Sequence, residues 1–156
     1  MTLFDTHAHY DDEAFDADRD AVLAAFDGLV IDPGCTLASS QAAVDLAARH
    51  PHVYAAVGIH PENCGDFVPE HMDALRQLAR EPKVVAIGEI GLDYYWPENP
   101  PRDFQQQVFR AQLELALELD LPVIVHDREA HGDSLAIVKE YPALRGVFHC
   151  YSGSVE

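Results

Sequence analysis

The residues most suited to chemistry stand close to the amino terminus, in the stretch FDTHAHYDD. Alternate side chains of an extended strand point to the same face, so this stretch predicts that Asp5, His7 and His9 share one face. Two imidazoles held beside carboxylates are able to bind a divalent cation. A polar turn with unrelated histidines would give the same short pattern. The remaining motifs therefore have to decide between these two interpretations.

Four further motifs place histidine or glutamate directly after a short apolar run: GIHPEN, GEIGLDYY, VHDREA and HCYSG. The carboxyl ends of neighbouring parallel strands meet at one rim of a sheet, and that rim carries the active site in such folds. Histidines that only fill a core would not recur at the same place in successive units. The recurrence favours a shared site over chance.

The elements that position these motifs alternate along the chain. Six apolar runs predict buried parallel strands: TLFDTH, GLVIDPG, VYAAVGIHP, KVVAIGEIG, LPVIVHD and RGVFHCYSG. Between them, DADRDAVLAAF and QQQVFRAQLELALELD show helical spacing of apolar residues. This alternation predicts consecutive βα units in an α/β fold, and no low-complexity linker marks a domain boundary. We expect one domain spanning residues 1–156, either a barrel or an open parallel sheet.

The composition limits the classes of function. With 156 residues, 48% of them hydrophobic, the chain can bury a core. Its 27 acidic and 10 basic residues give a formal charge of -17, which argues against nucleic-acid binding through a basic patch. A phosphate substrate held at bound metal ions is compatible with this charge, because the local cations outweigh the distant field.

The cysteines and the apolar stretches indicate the cellular compartment that we expect for this protein. Three cysteines without CxxC spacing predict reduced thiols in a cytoplasmic protein. No apolar stretch has the length of a signal peptide or a membrane span, so we expect no membrane association. The sequence also lacks the GxGxxG and GxSxG patterns of dinucleotide-binding proteins and serine hydrolases.

The five candidate metal ligands are His7, His9, Glu89, His126 and His149. Four imidazoles and one carboxylate able to bridge with both oxygens can hold two cations about 3.5–4 Å apart. Mixed nitrogen and oxygen ligands suit Zn²⁺ or Mn²⁺, and Mg²⁺ if water completes its shell. The predicted chemistry is hydrolysis by a metal-activated water at a phosphoryl or carbonyl centre.

The motifs FDTHAHYD, GIHP, GEIGLDYY, PVIVHDREA and FHCYSG, in this order, resemble those of the TatD family of metal-dependent deoxyribonucleases. The resemblance implies a TIM-type (β/α) barrel, two divalent metal ions held by the same five ligands, and cleavage of phosphodiester bonds in DNA, single-stranded or from 3′ ends. It further implies that Glu89, His60 and Arg128 are catalytic, with His60 and Arg128 facing the substrate and its phosphate. Asp93 and Tyr94 are expected to shape the rim.

The sequence departs from the TatD pattern in its length. A closed barrel needs eight strands and about 250 residues, whereas this sequence contains six of the eight βα units. An Asp that the resemblance places after the eighth strand has no counterpart. We therefore expect a partial barrel with impaired catalysis, and self-association through the unpaired edges of strands one and six.

Two other functions remain open on these residues. A related amidohydrolase-like enzyme would use the same metals to cleave an amide, a lactone or a small phosphoester. A truncated fragment without activity would bind metal or another chain. The intact set of five ligands favours an enzyme, whereas the absence of the last Asp favours the fragment.

Several residues near the motifs have simpler expected roles. Asp5 is expected to orient an imidazole, and Asp11 and Asp12 are expected to be solvated or to cap a helix. The aromatic residues 94–96 could stack on bases or pack at the rim. Cys150 has no cysteine partner at zinc-finger spacing and is expected to pack internally.

Overall fold

The computed structural model describes residues 3–154 and contains a curled, six-stranded parallel sheet with helices. The strands are β1 (Leu3–Asp5), β2 (Gly28–Pro33), β3 (Val53–Val57), β4 (Val84–Asp93), β5 (Val123–Arg128) and β6 (Gly146–Phe148). The α-helices are α1 (Arg19–Ala25), α2 (Leu37–Arg49), α3 (Glu70–Leu78), α4 (Arg102–Leu119) and α5 (His131–Lys139). Two short 3-10 helices span Glu13–Phe15 and Pro61–Asp66.

The strand order equals the chain order, and every neighbouring pair is parallel. Each connection therefore leads to the adjacent strand, as it does in a (β/α) barrel. All six predicted strands and the α/β partial-barrel fold are confirmed. Within residues 3–154, β1 pairs only with β2 and β6 pairs only with β5.

The two faces of the sheet are covered by different hydrophobic clusters. The larger cluster lies between the sheet and the helices, and includes Leu46, Leu75 and Phe109 at almost zero exposure. The smaller cluster is formed by buried side chains of β2 to β5: Ile31, Ala56, Ala86 and Ile124. Strands buried on both faces explain why the apolar runs are continuous and do not alternate with polar residues.

Helix termini are set by identifiable local interactions. The Thr36 hydroxyl accepts from the Ser39 amide at 3.0 Å, and the Ser39 hydroxyl accepts from the Thr36 amide at 2.9 Å. This capping box starts α2 directly after β2 and the loop that follows it. The longest helix, α4, ends at Leu119 and is followed by Asp120, whose φ of 54° is left-handed. Among residues 3–154, no helix is both long and apolar enough to cross a membrane.

Two glycines let β4 approach β5 at the level of the candidate ligands. The register of this pair shifts between Ile87 and Ile90, which brackets Glu89. A Cβ on Gly91 would lie 2.0 Å from the backbone oxygen of His126, and its φ of 142° is strained for any other residue. Gly88 faces Ile124 in the same way, with a Cβ distance of 2.7 Å. The close approach brings Glu89 and His126 side by side.

Candidate metal centre

The centre is organised around the carboxylate of Glu89, a residue that is only 4% exposed. Its Oε2 lies 3.3 Å from Nε2 of His7 and 3.6 Å from Nε2 of His9. Its Oε1 lies 3.1 Å from Nδ1 of His126 and 3.9 Å from Nε2 of His60. Each carboxylate oxygen therefore faces its own pair of imidazoles, and each group of three has ligand atoms within 4.8 Å of one another.

The electrostatics keep Glu89 ionised. Burial alone would raise the pKa of this carboxyl, but hydrogen bonds to His126, His7 and His9 bring the pKa below its ordinary value. A buried carboxylate is costly unless it is paired with positive charge. Glu89 is thus a permanent anion around which cationic groups, either imidazolium rings or metal ions, are required.

The histidines around Glu89 differ in their affinity for protons. The hydrogen bond to Asp11, followed by that to Glu89, raises the pKa of His9 to about 10. Burial, together with the neighbouring His126, lowers the pKa of His60 to about 4. Burial opposes protonation of His126 as well, yet hydrogen bonds to Glu89 and Asp93 raise its pKa. The rings of His9 and His126 therefore carry the charge that balances the carboxylates, and divalent ions bound at the same nitrogens could replace this charge.

Asp93 fixes the orientation of His126. The residue is 0% exposed, and its Oδ2 lies 2.9 Å from Nε2 of His126. Its Oδ1 accepts from the backbone amide of Tyr95 at 3.0 Å and from the side-chain amide of Asn99 at 3.1 Å. A carboxylate that holds the outer ring nitrogen leaves Nδ1 of His126 directed at Glu89. Asp93 is the last residue of β4 and is buried at the carboxyl end of the sheet, and its expected role in shaping the rim stays a prediction.

His149 joins the centre by stacking. Its ring lies 3.4 Å from that of His7, centroid to centroid, with an interplanar angle of 12°. Burial and the neighbouring His7 lower the pKa of His149. Within residues 3–154, His149 belongs to none of the three groups whose ligand atoms lie within 4.8 Å of one another, whereas His60 belongs to one. Ligation by His149 therefore stays a prediction, and His60 is a further candidate ligand.

Four strands thus place imidazoles around the carboxylate of Glu89, and known proteins resemble this chain. The sequence matches the family described as TatD related DNase over residues 4–156. The chain belongs to this family. The predicted resemblance is thereby confirmed.

Similar proteins cover the chain almost completely. A Bacillus subtilis protein named uncharacterized metal-dependent hydrolase YabD is 38% identical over 160 residues, 99% of this chain and 62% of that protein. The 3′-5′ ssDNA/RNA exonuclease TatD of Salmonella typhimurium is 37% identical over 159 residues, 97% of this chain and 60% of that protein. The crystal structure of YJJV, a TatD homologue from Escherichia coli K12, superimposes with a TM-score of 0.90 at 35% identity, covering 97% of this chain and 61% of that one. The chain thus spans about 60% of the length of these relatives.

The Glu89 centre opens into a cavity of about 670 Å³ at the carboxyl ends of the strands. Cys35 lines this cavity, with its Sγ 4.0 Å from Oε2 of Glu89, and burial followed by the charge of Glu89 raises the pKa of its thiol to about 12. Cys35 follows β2 and belongs to none of the recognised motifs. Cys150 is exposed and also lines the cavity, so the expectation that it packs internally is wrong.

The aromatic residues after β4 divide into two roles. The ring of Tyr94 is covered by Arg102 at 4.3 Å, and its hydroxyl donates to Asp133 at 2.8 Å. Tyr95 and Trp96 are 49% and 41% exposed. Packing at the rim is therefore the role of Tyr94, whereas the next two rings are accessible.

Arg128 links the accessible rings to the cavity. Its guanidinium lies 4.0 Å from the ring centroid of Tyr95 and 5.2 Å from that of Trp96, and the residue lines the cavity. Cation–π contacts of this kind hold an arginine in place while its remaining donors stay free. Arg128 is thus available to an anionic ligand, as its predicted role requires.

The acidic residues around β1 differ from expectation in two of three cases. Asp12 caps the first 3-10 helix, accepting from Ala14 at 2.7 Å, as predicted. Asp5 accepts from the backbone amide of His7 at 3.0 Å, so it orients the chain and not an imidazole ring. Asp11 is turned towards His9, with its Oδ1 3.7 Å from Nδ1, and is neither solvated nor a cap. The sequence pattern could not assign different roles to Asp11 and Asp12, because these adjacent side chains point in different directions.

Proposed function

We propose that the Glu89 centre holds two divalent metal ions, Mg²⁺, Mn²⁺ or Zn²⁺, and hydrolyses phosphodiester bonds in single-stranded DNA. The observation that carries this proposal is the division of the carboxylate, since Oε2 faces His7 and His9 while Oε1 faces His126 and His60. A bridging carboxylate between two nitrogen-rich groups is the donor set of two-metal hydrolytic sites. The names of the relatives, a metal-dependent hydrolase and an ssDNA/RNA exonuclease, support the reaction and the substrate.

The ions, when bound, would polarise the phosphoryl group and lower the pKa of an attacking water. The side chains of the protein have separate tasks. Glu89 holds the centre together, and Asp93 fixes the ring of His126. Arg128 stands at the mouth of the cavity, where its donors can bind a phosphate of the substrate. The exposed rings 95–96 offer a surface on which a neighbouring base can stack.

The experiment is a cleavage assay with a labelled single-stranded oligonucleotide and Mn²⁺. Wild-type protein should cleave only with metal, at the low rate expected of a partial barrel. Glu89→Gln should lower this rate at least about 100-fold, since even outer partners of metal ligands cost about 10–100-fold in affinity. Glu118→Gln makes the same chemical change on an exposed face of α4 and should leave the rate unchanged. Binding of metal without any hydrolysis would contradict the proposed activity and would favour the metal-binding alternative.

We also propose that copies of this chain associate through the edges of the sheet. Leu3, Phe4, Leu29 and Val147 are exposed apolar side chains of β1, β2 and β6. Within residues 3–154 the outer edges of β1 and β6 have no strand partner, and such edges are templates for pairing. Sedimentation velocity should therefore show oligomers whose fraction rises with concentration and falls in Phe4→Asp. A monomer at all concentrations would contradict this proposal.

A further inference from the structure

A second group of carboxylates lies beside the Glu89 centre and takes no part in it. Asp32, the fifth residue of β2, is 0% exposed. Neither of its carboxylate oxygens has a hydrogen-bond partner among residues 3–154. Buried polar groups of folded proteins are almost always satisfied, and buried charges are paired or coordinate a cation. The side chain of Asp32 therefore requires a partner.

Asp32 is directed towards the loop that follows β1. One ligand atom from each of His9, Asp11 and Asp32 lies within 4.8 Å of the other two, which is a spacing that a single cation can bridge. The backbone of this loop is tied to β2, because the amide of Ala8 donates to the carbonyl of Ile31 at 3.1 Å. The three side chains are thus brought together by the pairing of adjacent chain segments.

His9 separates this group from the Glu89 centre. Its Nε2 lies 3.6 Å from Glu89, whereas its Nδ1 lies 3.7 Å from Asp11 on the other side of the ring. A neutral imidazole that uses Nε2 as a ligand keeps its proton on Nδ1. That proton can be donated to Asp11, so the ligands left for a cation are the carboxylate oxygens of Asp11 and Asp32.

We propose that Asp11 and Asp32 form a third cation site, selective for a hard divalent ion such as Mg²⁺ or Mn²⁺. Oxygen ligands and the absence of a free imidazole nitrogen favour these ions over Zn²⁺. The cation neutralises two adjacent carboxylates, one of them fully buried. By fixing Asp11 it also fixes the ring of His9, and so positions a ligand of the Glu89 centre. The third site does not depend on the proposed hydrolysis.

A shared proton is the competing explanation for the pair of carboxylates. Burial and the nearby Asp11 raise the pKa of Asp32 to about 8, so a proton could occupy the same place. The two explanations predict different numbers of metal ions bound per chain, because a shared proton adds no metal ion. The experiment therefore counts ions.

Metal-free protein is titrated with Mn²⁺ by calorimetry, and the stoichiometry is compared among variants. Asp32→Asn should bind one ion fewer than wild type, and so should Asp11→Asn, which alters a partly exposed position if Asp32→Asn fails to fold. Glu89→Gln should retain the ion held by Asp11 and Asp32 even if it loses the others, which separates this site from the proposed function. Asp12→Asn is the matched control, because asparagine still caps the 3-10 helix, and its stoichiometry should equal that of wild type.

The contradicting result is equally definite. If folded Asp32→Asn, judged by its circular dichroism spectrum, or folded Asp11→Asn binds as many ions as wild type, the third site does not exist and a proton neutralises the pair.

Discussion

The ring of His7 stacks on the ring of His149, with centroids 3.4 Å apart, although these residues follow strands at opposite ends of the sheet order. Only strong curling brings β1 and β6 close enough for such a contact. The centre is therefore assembled by the curvature of the sheet as well as by its parallel order. Side chains separated by most of the chain meet at one carboxylate, Glu89.

The stacked ring is expected to support the ion beside His7. Replacing the ring in His149→Ala should weaken Mn²⁺ binding about 10–100-fold, the usual effect of losing a group that supports a metal ligand. His149→Phe keeps the stacking surface but lacks the ring nitrogens. An affinity for Mn²⁺ near that of wild type in this variant would assign His149 a packing role. A loss of affinity equal to that of His149→Ala would assign it a role as a ligand. An unchanged affinity in His149→Ala, measured by calorimetry, would exclude both.

Asp93 should matter for metal binding although it is 0% exposed. In Asp93→Asn the outer nitrogen of His126 loses its anionic partner, and the affinity for Mn²⁺ should fall about 10–100-fold. Asp133→Asn, a change at an exposed acid that contacts Tyr94 and not His126, serves as the control. Equal affinities for the two variants would refute the positioning role of Asp93.

Metal binding should release protons at neutral pH. Because the pKa of His9 is raised to about 10 in the folded chain, the ring gains its proton below that value and must lose it before Nε2 can bind an ion. The apparent affinity for Mn²⁺ should therefore rise with pH between 6.5 and 10. In the metal-free protein the same shift stabilises the fold fully below pH 6.5, and this stabilisation is lost as the pH rises through 10.

The check is calorimetry at pH 7.5 in two buffers with different ionisation enthalpies. A binding enthalpy that depends on the buffer reports released protons, and the same enthalpy in both buffers would show that His9 is already neutral in the free protein.

The exposed rings after β4 are expected to bind the substrate. Trp96→Ala should weaken binding of a labelled single-stranded oligonucleotide by about 1–3 kcal/mol, or about 5- to 150-fold in Kd, because one stacking surface is removed. The number of bound metal ions should stay constant. Leu117→Ala, at an equally exposed apolar position on α4 outside the cavity lining, is the control. Fluorescence anisotropy measures the Kd for the oligonucleotide in proteins that also carry Glu89→Gln, which blocks cleavage. Identical Kd values with and without Trp96→Ala in that background would rule out stacking.

Much of the fold could be predicted because its physical cause lies in short segments. Continuous apolar runs identify strands covered on both faces, and all six are present. The helical spacing in residues 16–26 and 105–120 corresponds to α1 and α4. The rule that parallel strands end at one rim is sufficient to group His7, His9, Glu89 and His126 from the order of the motifs alone.

Contacts that depend on three-dimensional curvature could not be predicted. The sequence gives no sign that Asp93 contacts Nε2 of His126, because this contact crosses from β4 to β5, where Gly91 allows a close approach. Asp32 and Cys35 were also missed. The rule applied to the other strands would have found them, since both stand at or after the end of β2, the strand whose following residues contain no histidine.

Under the proposed function, Glu89 would help to hold two metal ions, one together with His7 and His9 and one together with His126 and His60. The most direct measurement is anomalous diffraction from crystals of this chain soaked in Mn²⁺, with Glu89→Gln crystals as the control. We expect two anomalous peaks at the centre, one beside His7 and His9 and the other beside His126 and His60, and their loss or weakening in the variant. A single peak at this centre, or two peaks that persist unchanged in Glu89→Gln, would contradict this expectation.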